Sequence, residues 1–196
     1  MQHFLFLISL LSAASFAAAQ DTNVTTGALG DAQPVYTNTE IGETWVATFE
    51  SAALNGTVRA VAAEVGVNYT IDVTGLAEDK GPYKYHVHVY PVPAENGTCA
   101  DTGGHLDPYK RTDTPPCESS LPQTCEVGDM SGKYGVLVGG DVKKEFNDPY
   151  SALNETAVGY IGSRSIVFHD GSGARIACAT LVKVEASESD SENDCE

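Results

Sequence analysis

Apolar and polar positions alternate in short runs through the middle of the chain. Thr44–Phe49, Gly56–Ala62, Asn68–Val73, Lys84–Tyr90, Tyr134–Val138, Ser165–His169 and Arg175–Val184 are each strand-length and rich in Val, Ile, Thr, Tyr or Phe. Turn residues separate them. No window carries an apolar period long enough for an amphipathic helix, and no internal repeat is present. The pattern predicts an all-β domain, an antiparallel sandwich or barrel.

One stretch breaks the rhythm. Residues 91–132 contain Pro91, Pro93, Pro108, Pro115, Pro116 and Pro122, with Gly97, Gly103, Gly104, Gly128 and Gly132. A connection this long in a compact domain is either functional or disordered. Cys99, Cys117 and Cys125 fall within it and favour an ordered loop held by disulfides.

The ends of the chain differ from its middle. Residues 1–19 are apolar from Phe4 onward and close on Ala17-Ala18-Ala19, which predicts a secretory signal. The alternative, a membrane anchor, is disfavoured because the apolar run falls short of the roughly 20 residues that a span needs. Residues 20–41 read as a loose polar arm, residues 42–184 as the domain, and residues 185–196 as an acidic disordered tail. That tail carries Glu185, Glu188, Asp190, Glu192, Asp194 and Glu196, together with Cys195. Sequons at Asn23, Asn55, Asn68, Asn96 and Asn154 are the glycosylation candidates of a protein secreted to the exterior or the cell wall. The net charge of −16 argues against nucleic acid and anionic membranes as partners. No membrane span is expected, and the protein is taken as a monomer.

The chemistry lies in the histidines. Apart from His3 in the predicted signal, they are His86 and His88 in Tyr-His-Val-His-Val, His105 in Gly-Gly-His-Leu-Asp-Pro, and His169 in Ile-Val-Phe-His-Asp. Residues two apart on a strand share a face, so His86 and His88 can converge on one ion. A His-x-His pair on a solvated sheet face is the plain alternative. Gly103 and Gly104 allow the backbone to bend and bring His105 back to the pair. Four neutral imidazoles suit copper and zinc, and a tetragonal nitrogen field favours copper(II). No Cys or Met stands beside these histidines as a blue-copper site requires, so the set leans toward redox exchange with a small diffusing substrate.

The blocks Tyr85-His86-Val87-His88-Val89, Cys99 to His105, Glu126-Val127-Gly128-Asp129 and His169 to Cys178 resemble copper-zinc superoxide dismutases in order and local spacing. The resemblance spans roughly residues 42–184 and implies a Greek-key sandwich with a long disulfide-held active-site loop. It implies that His86, His88, His105 and His169 ligate copper, with His105 at the position of the imidazole shared with zinc. It pairs Cys99 with Cys178, and it makes Arg175 the guanidinium that guides superoxide. Dismutation to dioxygen and hydrogen peroxide follows, with Arg175, His105 and Glu126 as the working residues.

Two departures matter. The second and third zinc histidines are missing: Asp113 falls near one of those positions, Glu126 occupies the other, and Asp129 alone keeps its ligand type. Only Asp170 to Ala174 separate His169 from Arg175, where the family carries a long charged loop. Both features resemble the extracellular copper-only branch of fungi, so copper is expected without zinc. Glu126 would then accept a hydrogen bond from His105 in place of the zinc, and Asp129 would do the same or orient the loop. Cys117 and Cys125 are expected to pair locally, with Cys195 left over, although the sequence does not settle connectivity. A copper-buffering protein without turnover is the alternative function.

Overall fold

Side-chain alternation along the strands sets up the sandwich. The computed structural model describes residues 24–36 and 39–185. The predicted signal 1–19, Asn23, and the acidic tail beyond Glu185 with Cys195 lie outside the described residues. Eight strands are β1 Thr44–Glu50, β2 Asn55–Ala62, β3 Val67–Leu76, β4 Lys84–His88, β5 Gly140–Asp148, β6 Ser165–His169, β7 Arg175–Thr180 and β8 Val182–Lys183. They form two antiparallel sheets, one in the order β5-β3-β2-β1-β8 and one in the order β4-β6-β7. β1, β2 and β3 make a meander, and a long excursion returns β8 to the side of β1, the spatial order of a Greek key.

Between the sheets lies one core. Phe49, Val58, Tyr69 and Ile71 enter it from the five-stranded sheet, and Tyr85, Val87, Ile166 and Phe168 from the other. Phe49 meets Phe168 edge to face at 5.1 Å across the gap. Each such side chain contributes about 1.5–3 kcal/mol through burial.

The smaller sheet is unusual in being covered on both faces. All of β6 and all of β4 after Lys84 are buried. The register Lys84↔His169, His86↔Val167, His88↔Ser165 puts the histidines on the face turned away from the core. The loop after β4 closes over that face. It doubles back along the edge of β4 through Leu106 N–H to Val87 O (2.8 Å), Val87 N–H to Gly128 O (2.9 Å) and Gly128 N–H to Leu106 O (2.8 Å). A Cβ at Gly128 would stand 2.3 Å from Val87 O, so the three segments can approach this closely only through glycine. Two disulfides pin the loop: Cys99–Cys178 joins it to β7, and Cys117–Cys125 closes it on itself.

Four expectations are corrected. Tyr134–Val138 is not a strand. Met130–Tyr134 forms a short helix, α1, which Gly135 (φ 87°) ends, and Leu137 alone pairs, with Tyr83. Five residues are too few to show a helical period in sequence. β5 was not expected, because its half-buried face alternates Val142, Lys144 and Phe146 and so lacks an apolar signature. The run Arg175–Val184 divides at buried Leu181 into β7 and β8, which belong to different sheets. The arm is not loose over 24–36: Ala32 is buried, and backbone bonds tie Ala28 and Leu29 to Lys110 and Tyr109, Ala32 to Gln123 and Val35 to Pro149.

A second buried polar group braces α1. Lys133 Nζ donates to Val127 O (2.8 Å) and to both oxygens of Asp148 (3.0 and 3.1 Å). Asp148 also accepts from Tyr134 Oη (2.7 Å) and from Ser151 Oγ.

Candidate metal centre

β4, β6 and the returning loop bring His86, His88, His105 and His169 together. One nitrogen from each lies within 4.8 Å of the others. Among the described residues they form the one group of three or more such side chains that could share an ion. His105 arrives beside His88 through an isolated bridge on the edge of β4. The bend that precedes it is Gly103, whose φ is 77°.

Each ring is held by its other nitrogen. His88 Nδ1 donates to Gly103 O (3.0 Å) and lies 3.1 Å from Thr102 Oγ1. His169 Nδ1 donates to Gly173 O (3.1 Å). His105 Nδ1 donates to Glu126 Oε2 (2.5 Å), and this carboxylate is itself buried. His86 is turned the other way round. Its Nε2 faces Ser131 Oγ (3.1 Å) and Asp129 Oδ1 (3.4 Å). Its Nδ1 is buried without a partner. These partners assign the tautomers and leave one lone pair per ring: Nδ1 of His86 and Nε2 of the other three.

The electrostatics fit a cation. Burial, before any other cause, lowers the imidazole of His86 to about 4 and that of His88 to about 3. Burial lowers His169 as well, and the charges of Arg175 and Lys84 add to the effect. These rings are neutral at pH 7, the form in which imidazole ligates a metal. For Asp129, burial pulls the carboxyl upward, but the hydrogen bonds from His86 and the Gly132 N–H hold it down at about 2. An unpartnered buried nitrogen in an all-imidazole set is what copper or zinc would satisfy.

The remaining predicted residues fall in three places. Arg175 sits on the rim of the site, exposed. Its Nη1 donates to Cys99 O (2.6 Å), Ala100 O (3.0 Å) and Thr102 Oγ1 (3.2 Å), and its Nη2 to Gly103 O (2.6 Å). It therefore holds the carbonyl that orients His88. Asp129 stands at His86 rather than at His105, and it caps α1 by accepting from Gly132 N–H (2.8 Å). Asp113 lies away from the cluster on an exposed turn, accepting from Thr114 Oγ1 (3.2 Å). Asn55, Asn68 and Asn96 are exposed and Asn154 is half-buried. Ser131, Thr102 and the carbonyls of Gly103 and Gly173 were not foreseen. Backbone oxygens carry no side-chain signature, and a lone Ser or Thr in a loop looks like any other.

Comparison with known proteins bears on this geometry. The family model described as "Copper/zinc superoxide dismutase (SODC)" matches residues 54–181. The chain is 38% identical over 160 residues to "Cell surface Cu-only superoxide dismutase 5" of Candida albicans, covering 80% of this chain and 68% of the relative. It is 33% identical over 182 residues to "Cell surface superoxide dismutase [Cu-Zn] 4" of the same organism, covering 91% and 72%. The copper(II) structure of Candida albicans superoxide dismutase 5 superposes with a TM-score of 0.67 at 34% identity, over 79% of this chain and all of that one.

Proposed function

The chain belongs to the copper/zinc superoxide dismutase family, and on that premise we propose that its four histidines hold a single copper ion that dismutates superoxide outside the cell. The observation that carries this reading is the unpartnered, buried Nδ1 of His86 at the meeting point of three other rings. The product pair is dioxygen and hydrogen peroxide, formed from two superoxide anions and two protons. Copper supplies the one-electron couple when bound. The cofactor is copper; one similar protein is described as Cu-only and another as Cu-Zn. Here Glu126 is engaged by His105, Asp129 by His86 and α1, and Asp113 faces solvent, which supports a site without zinc.

The chain's own residues divide the remaining work. His86, His88 and His169 are buried and fixed, so they hold the ion. His105 is the ring with access to solvent, its side chain 20% exposed. It can take up and release a proton at Nε2 while Glu126 keeps hold of its Nδ1–H. Glu126 thus does for His105 what a zinc ion would otherwise do. Arg175 places a fixed positive charge at the rim, where an arriving anion meets it. All of these groups come from one chain, so a monomer suffices. An extracellular place of action agrees with the two disulfides and with relatives described as cell-surface proteins.

Reconstitution with copper and zinc together tests the reading. The expected product is one copper and no zinc per chain, of single-chain mass by light scattering, and active in a superoxide assay. Copper bound without turnover would point instead to a buffering protein, and stoichiometric zinc would overturn the copper-only part.

A further inference from the structure

Superoxide is an anion approaching a chain of net charge −16, so local positive charge at the site counts for more than the whole. Arg175 is one such charge, but its donors already serve Cys99, Ala100, Thr102 and Gly103. The sheet register shows a second. His169 pairs with Arg175 on the β7 side and with Lys84 on the β4 side. Lys84, His169 and Arg175 therefore form one row across three adjacent strands, a histidine of the cluster between two cations. On the β4 side the register is regular and opposed Cβ atoms lie about 5 Å apart, whereas on the β7 side it shifts between Phe168 and His169.

Lys84 shares the face of His86 and His88 and is exposed. Among the described residues its ammonium makes no hydrogen bond and no ion pair. Its charge is felt at His169. The neighbouring acid, Asp170, forms no ion pair with it: its Oδ1 accepts from Ser172 N–H (2.9 Å), Ser172 Oγ (2.6 Å) and Ala174 N–H (3.1 Å) within its own turn.

We propose that Lys84 is a second anion guide of this site, a free ammonium that, with Arg175, flanks the row through His169 and raises the local concentration of superoxide. It forms no bond to the substrate's products and donates no electron. The proposal rests on the dismutase reading above, so its test includes an anion that does not turn over.

The experiment uses the copper-loaded full chain with Lys84→Glu, Lys84→Ala and Lys84→Arg, and Lys143→Glu on β5 of the other sheet as control. Two readouts are taken against ionic strength: the second-order rate constant with superoxide, and the azide dissociation constant from the copper EPR spectrum. At low salt Lys84→Glu should lower the rate and weaken azide about fivefold, and Lys84→Ala about twofold. Lys84→Arg should match the parent. The differences should shrink above about 0.15 M salt. Copper content and the azide-free spectrum should not change. The proposal is overturned by an unchanged azide affinity in Lys84→Glu, by a loss independent of salt, or by an equal loss in Lys143→Glu. A protein that shows no dismutation yet loses azide affinity on Lys84→Glu would sink the dismutase reading and leave the guide standing.

Discussion

Two buried polar clusters lie on either side of the short helix α1, and they are built on opposite principles. Around Lys133 and Asp148 every strong donor and acceptor has a partner: the ammonium has three, and the carboxylate binds Lys133, Tyr134 and Ser151. Around the histidines each ring is tied by one nitrogen while the other points at a common space, and for His86 that nitrogen is buried and bare. A saturated cluster braces the fold and can do little else. A cluster one partner short at a single point is shaped for something that is added. The two meet through α1, since Ser131 and Asp129 hold His86 while Lys133 and Tyr134 hold Asp148.

The contrast can be broken by substitution. Lys133→Met should have the largest effect, because it strands the buried Asp148 charge. Chemical denaturation should show a loss of about 3–5 kcal/mol, and a loss below 1 kcal/mol would mean that the cluster is not a brace. Glu126→Gln comes next and should act on function rather than fold. Copper competition and the superoxide assay should show copper affinity or turnover down by about 10–100-fold, with the thermal midpoint nearly unmoved. A large drop in stability there would make Glu126 part of the brace instead. Ser131→Ala should be the mildest. Losing one hydrogen bond to His86 is worth about 1 kcal/mol, or about fivefold in copper affinity. A shifted copper EPR spectrum would separate a change at the ligand from a general loosening of α1.

Legibility in the sequence followed from where the information resides. β1, β2, β3 and β6 could be read because their inward positions are apolar side chains. β5 could not, since Lys144 interrupts its inward face between Val142 and Phe146. Leu137 explains the mistaken strand: it is buried between exposed Val136 and Val138, a true alternation that extends to a single bridge. The gathering of the four histidines was legible through spacing and neighbours, and the contact of Glu126 with His105 through the missing histidine. What orients His88 and His169 was not, because the acceptors are peptide carbonyls whose positions only the closed loop and the turn after β6 define.

The wide dispersal of the four histidines has a thermodynamic consequence. They run from position 86 to position 169, and only His86 and His88 are neighbours in an unfolded chain. The complete ligand set exists only after β4 and β6 have paired and the Gly128 crossing has closed. If the proposed site is right, copper would bind the folded state almost alone, and linkage would add its occupancy to the folding free energy. At a free ion level a thousandfold above the dissociation constant this amounts to about 4 kcal/mol, comparable with the whole of the Lys133 brace. On that reading a metal-starved chain would be not merely idle: the seam where His105 joins β4 would lack a cross-link that the two disulfides do not supply, and its stability would answer to copper supply as well as to temperature.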